Sequence, residues 1–179
     1  MVLFSMIKKH LHIFANAFLY RKRGSMIQFY APQIDDLWFK QQMLADADTM
    51  SYNHAYGGTI AFPEERWADW YARWMLCNDG TRFYRYLRLE DQFLGEVAYH
   101  PDTEQNIFLA DILIYAPFRG KGYGREALTM LCTAAKENGI GTLYDRIAID
   151  NPSISLFLSC GFTEISRTED SILVKIDLL

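Results

Sequence analysis

Ile112-Leu113-Ile114-Tyr115 runs into Arg119-Gly120-Lys121-Gly122-Tyr123-Gly124, which opens the helical pattern Arg125-Glu126-Ala127-Leu128-Thr129-Met130-Leu131. An apolar strand that turns through three alternate glycines into a helix brings several backbone N–H groups to one small space. The first turn of a helix has no internal partners for its amides, and the helix dipole places partial positive charge there. Such a turn binds phosphate, and glycine lets the main chain approach it closely.

The spacing separates this loop from other phosphate binders. A P-loop needs Gly-x-x-x-x-Gly-Lys-Ser/Thr, and no lysine followed by a hydroxyl residue stands here. A dinucleotide fingerprint belongs in the first strand–helix unit, whereas these glycines lie about two-thirds of the way along the chain. A later stretch, Asp150-Asn151-Pro152-Ser153-Ile154-Ser155-Leu156-Phe157-Leu158-Ser159-Cys160-Gly161-Phe162, reads as a capped short helix ended by Gly161 and followed by a strand.

Arg119-x-x-Gly122-x-Gly124 resembles the pyrophosphate loop of the GNAT superfamily of N-acetyltransferases. The later stretch resembles that family's Asn-x-x-Ala/Ser-x-x-Leu-Tyr-x-x-x-Gly-Phe signature. The match covers roughly residues 92–178, and one helix and one strand separate the two motifs, as in the family. The resemblance implies acetyl-coenzyme A as cosubstrate, with no metal, and a primary amine as acceptor. It implies pyrophosphate on the loop of Arg119, Gly120, Lys121, Gly122, Tyr123, Gly124 and Arg125. It implies also a pantetheine arm paired like an extra strand with Ile112, Leu113 and Ile114, one of whose N–H groups faces the thioester oxygen.

Two departures touch the chemistry. The family's tyrosine, often the acid that protonates departing coenzyme A, falls on Phe157, which can pack on the cofactor but holds no proton. The family's asparagine falls on Asp150 by strict counting from Gly161, or on Asn151 if the turn is one residue shorter. Asn151 is taken as the cofactor contact, because a carboxylate beside pyrophosphate would be repelled. The Phe157 departure keeps alive a second reading, a coenzyme A-binding sensor or regulatory module that has lost catalysis.

For the proton of the amine, Asp111 and Glu96 each lie in an otherwise apolar run, where partial burial would raise a carboxyl pKa toward a useful range. Glu96 has a structural alternative, pairing with an arginine such as Arg85 across the hairpin, and Asp111 has another, simple solvent exposure. His100 is a further candidate base, although its place before Pro101 reads as a turn. A relay to water needs none of the three. Trp67, Trp70, Tyr71 and Trp74 form one aromatic helical face, read chiefly as core packing and alternatively as a wall for the acceptor.

The chain of 179 residues is long enough for one substantial core, and half its residues are apolar. Three cysteines without a Cys-x-x-Cys pair fit a reducing cytosol, and the four histidines make no metal spacing. Residues 1–25 hold five of the 18 basic residues and none of the 22 acidic ones, so the remainder carries a net charge of −9. That acidity suits a cationic acceptor and argues against nucleic acid. The extension is too short in its apolar part to span a bilayer, so membrane contact would come only through a surface helix there. Lys22-Arg23-Gly24-Ser25 directly precedes Met26, and purine-rich codons for such a run can encode a ribosome-binding site. The chain therefore divides into an extension, 1–25, and an N-acetyltransferase domain, 26–179, with Met26 as an alternative start. A homodimer is compatible with the sequence.

Hydrophobic periodicity gives the order β-α-α-β-β-β-α-β-α-β-β. Strands are expected at 27–30, 82–89, 93–100, 107–115, 143–149, 162–167 and 171–176, and helices at 34–44, 63–77, 124–138 and within 153–159. The expected architecture is the GNAT α/β (α+β) fold, a mixed sheet of six to seven strands with helices on both faces.

Overall fold

A computed structural model describes residues 26–76 and 80–179. The extension 1–25 and the Cys77-Asn78-Asp79 end of the second expected helix lie outside the described residues. The elements are β1 (Gln28–Tyr30), α1 (Leu37–Ala45), α2 (Trp67–Tyr71), β2 (Phe83–Leu89), β3 (Gln92–Asp102), β4 (Ile107–Ile114), α3 (Tyr123–Glu137), β5 (Thr142–Ala148), α4 (Ile154–Ser159), β6 (Thr163–Arg167) and β7 (Ser171–Asp177). The order is the one read from the sequence.

All seven strands join one sheet in the order β1-β2-β3-β4-β5-β7-β6. Neighbours run antiparallel except β4 and β5, which are parallel. Side-chain alternation divides the core between two faces. Val97 and Tyr99 of β3 pack with Leu128 and Leu131 of α3 and with Phe157 of α4. Ala98 of β3 and Leu113 of β4 pack instead with Leu37, Phe39 and Met43 of α1. The helices therefore cover both faces.

β3 carries an extra residue at Leu94, since Leu87 pairs with Gly95 while Arg88 pairs with Phe93. This bulge lets Leu94 join the α3-side core with Val97. Gly95 beside it lies against β4, and a Cβ there would stand 2.2 Å from the Leu113 carbonyl oxygen. Main chain cannot yield as a flexible side chain does, so Gly95→Ala should cost about 1–3 kcal/mol, as overpacking does. Thermal unfolding checks this, and an unchanged midpoint would show that β4 shifts freely.

Two local expectations are corrected. Pro101 was expected to open a turn, yet β3 continues through it to Asp102, and Pro101 pairs with Phe108 of β4. The pairing of β2 stops at Phe83 with Tyr99, so the N–H that proline lacks is not needed on that side. The Trp-rich helix is not uniform either. It begins as a 3₁₀ turn at Glu64–Arg66, becomes α2, and widens to a π turn at Ala72–Leu76. Trp70 and Trp74 stack there with ring centroids 6.0 Å apart. Among the described residues no helix is long and apolar enough to cross a membrane.

Candidate active site

β3 and β4 pair over eight positions, from Gly95 with Ile114 to Asp102 with Ile107. β4 and β5, by contrast, share a single register pair among the described residues, Leu109 with Tyr144. Beyond it the two strands part, so among the described residues no strand pairs with the β5-facing edge of Ile112–Ile114, where the Ile114 carbonyl accepts from Arg119. A cleft of about 980 Å³ opens at this split.

One end of the cleft is an amide cradle. Gly120 and Gly122 adopt φ of +74° and +88°, which turns the chain so that a Cβ at either would meet nothing within 4 Å. Gly122 is the N-cap of α3. Among the described residues, the amides of Gly120 to Arg125 have no hydrogen-bond partner, the first donation of the helix being Glu126 N–H to the Gly122 carbonyl. Unmatched donors at a helix N-terminus, with open space before them, fit a diphosphate. Gly124 serves packing instead, since its Cβ would stand 3.1 Å from Leu156 of α4.

The loop's charged side chains are engaged with the protein. Arg119 donates to the carbonyls of Ile114, Asp48 and Thr49. Thr49, fully buried, accepts in turn from the Ala116 amide at 3.0 Å. Arg119 thus ties the 46–50 turn to the exit of β4. Lys121 donates to the Pro117 carbonyl and stands over the Phe118 ring. Of the loop and strand residues expected to meet the cofactor, Lys121 alone does not line the cleft. Asn151 lines it and uses its side-chain oxygen to accept from the Ser153 amide at 2.9 Å, fixing the entry to α4. Asp150 turns elsewhere and meets His54 at 2.9 Å. Phe157 also lines the cleft, is 1% exposed, and packs edge-on against Phe162.

The other end of the cleft carries the ionisable groups. Glu96 receives Lys40 Nζ at 2.7 Å and, on its second oxygen, the hydroxyl of Tyr84. Its partner is therefore Lys40 of α1, while Arg85 lies over the Phe83 ring. Both oxygens are thus engaged by the protein, one by an ammonium and one by a hydroxyl. Asp111 meets His100 Nε2 at 3.2 Å, and its side chain remains 60% exposed. The hydrogen bond that His100 donates to Asp111, together with the charge of that carboxylate, holds His100 above the ordinary imidazole pKa, against the effect of burial. His100 reaches this position because β3 continues past it, and the Trp74 ring stands edge-on at 5.7 Å.

Asp145 of β5 also lines the cleft. Burial first, and the nearby charge of Asp111 second, push its carboxyl well above the usual carboxylate range. Strand alternation carries the sequence signal for it, since Asp145 occupies the same face of β5 as buried Leu143 and Ile147. Tyr52 lines the same end of the cleft, its phenol pushed up to about 12 by burial and by the field of Glu96 and Asp111. Trp70 and Trp74 pack on the α1-side core and also line the cleft. Among the described residues no group of three metal-ligating side chains forms.

The model of the acetyltransferase (GNAT) family matches residues 42–162. The N-acetyltransferase YycN of Bacillus subtilis (strain 168), itself uncharacterized, is 34% identical over 79 residues, 42% of this chain and 51% of that one. The chain thus spans about half the length of this curated relative. YncA of Salmonella typhimurium, solved with its cofactor acetyl-CoA, superposes with a TM-score of 0.69 at 17% identity, over 85% of this chain and 94% of that one. Spermidine N-acetyltransferase of Vibrio cholerae, solved with CoA and spermine, gives 0.68 at 18% identity, over 85% and 95%. At such identities the likeness to the solved structures is one of fold. The family match spans both the parted strands and the amide cradle, and the chain belongs to the acetyltransferase (GNAT) family.

Proposed function

We propose that the protein transfers an acetyl group from acetyl-coenzyme A to a primary amine by direct attack. The observation that carries this reading is the continuity of the cleft. Unmatched amides at Gly120–Arg125 lead to the β5-facing edge of Ile112–Ile114, which runs beside the His100–Asp111 pair. The amides would hold the pyrophosphate, and the β4 edge would hold the pantetheine arm. An N–H of that edge would face the thioester oxygen as negative charge grows on it. Asn151 would brace the turn beside the cofactor, and Phe157 would pack against it.

An alkylammonium has a pKa near 10.4 and must lose a proton before it can attack. The His100–Asp111 pair is the proposed proton acceptor, since Glu96 is already held by Lys40 and Tyr84. No side chain at position 157 protonates the departing thiolate. A thiol with a pKa near 8.5 leaves tolerably without an acid, so this loss slows transfer without forbidding it. Phe157→Tyr is therefore expected to leave acetyl-coenzyme A affinity within about threefold and to raise kcat by less than about tenfold, below the usual 10²–10⁴-fold of acid catalysis because the thiolate leaves tolerably unaided. A fall in kcat with intact binding would show that the pocket requires an apolar ring.

The deciding experiment is thiol release from acetyl-coenzyme A against a panel of primary amines. Release with at least one amine supports the reading. Phe157, buried and without a proton, favours the alternative of a coenzyme A sensor. Tight binding with no release from any amine would establish that alternative.

A further inference from the structure

The acceptor side of the cleft holds a cation site already filled by the chain. Lys40 projects from α1 and is only 9% exposed. Its Nζ lies 2.7 Å from Glu96 Oε1, with the ring centroids of Trp70, Tyr84 and Phe62 at 5.1, 5.2 and 6.0 Å. A carboxylate beside several aromatic faces is the chemistry that recognises an alkylammonium. Here the ammonium is built in, and the second oxygen of Glu96 is taken by the Tyr84 hydroxyl.

The consequence concerns charge. Lys40 and Glu96 neutralise each other, so that wall offers no carboxylate to a substrate cation. A second ammonium brought there would meet a like charge and lose its water without a partner, which is how an unwanted ligand is rejected. The exposed carboxylate remaining on the acceptor side is Asp111, facing His100. One ammonium, at the attacking end, is what this arrangement can serve.

Resting on the acetyl-transfer reading, we infer that Lys40 sets the acceptor class. It admits amines with one ammonium and a neutral or apolar remainder, and it excludes diamines and polyamines by occupying their second site.

The test compares wild type with Lys40→Ala on α,ω-diamines of graded length and the matching monoamines. Wild type should show no preference for the diamines. In Lys40→Ala the emptied cage should shift kcat/KM toward diamines of suitable length by about tenfold or more, the scale of a desolvated cation–π and ion-pair contact. A second arm needs no turnover: propylammonium, the piece of side chain removed, should raise the melting temperature of Lys40→Ala and leave wild type unchanged. Lys40→Met keeps the stem and removes only the repelling charge, so if the alanine variant does not fold it should shift preference the same way by a smaller factor. A wild-type preference for diamines of about tenfold, or variants that keep the wild-type ratio while propylammonium stabilises neither protein, would overturn the inference. Absence of thiol release from every amine would instead overturn the acetyl-transfer reading, and the propylammonium arm would then judge the cage alone.

Discussion

Replacing Gly122 by valine is expected to weaken acetyl-coenzyme A binding by about tenfold or more, on the order of 1.4 kcal/mol. Two separate effects lead there. Gly122 sits at φ +88° as the N-cap of α3, a conformation that a β-branched residue adopts only with strain. Relaxing that strain would rotate the amides that now face the cleft together. The added side chain would also stand in the open space before them, where a diphosphate must come. Gly124→Ala is the informative partner, because its new methyl would press on Leu156 at 3.1 Å and leave the amide cradle in place. Calorimetry with folded variants should show a larger loss for Gly122→Val than for Gly124→Ala. Equal, small losses would mean that the cofactor is held elsewhere.

The cradle was legible in sequence because its geometry needs residue types that little else needs. The loop uses Gly120 and Gly122 at positive φ, and the apolar run before it forms β4. Elsewhere a local signal was overruled by a neighbour distant in sequence. Pro101 reads as a terminator unless it is known that β2 has already stopped pairing. Lys40, between Phe39 and Gln41, carries no local signal that sets it apart. Only the placement of Trp70 and Tyr84 around it, from α2 and β2, turns that lysine inward. Glu96 and Asp111 could be picked as carboxylates in apolar strands. Which of them was already occupied depended on Lys40 and His100, and periodicity says nothing about such partners. Asp145 differs, since strand alternation alone placed it on the buried face of β5.

The pH dependence of transfer should rise through a limb set by His100 and centred above 6.5, because Asp111 raises that imidazole through a hydrogen bond and through its charge. The pair accepts the amine proton only when His100 is neutral, so activity grows as pH climbs past that point. Asp111→Asn removes both of the raising effects that Asp111 supplies and leaves burial and Arg82 to act against the smaller lift from the Pro101 carbonyl, so the limb should move to lower pH. The plateau of kcat/KM should fall by about 10²-fold or more, as expected for loss of a general base or its partner. His100→Gln should remove the limb altogether. Stability gives a second readout with the sign fixed by linkage. A raised histidine stabilises the fold fully below 6.5, and that contribution disappears as pH rises through its folded value. The melting-temperature gap between wild type and Asp111→Asn should accordingly be widest at acid pH and close above the limb. An acceptor amine of different pKa separates the remaining ambiguity, because a limb belonging to the amine would move with it and one belonging to His100 would not. If Asp111→Asn and His100→Gln leave both the rate and the limb in place, proton loss runs to water, and the parted main chain of β4 carries the catalysis.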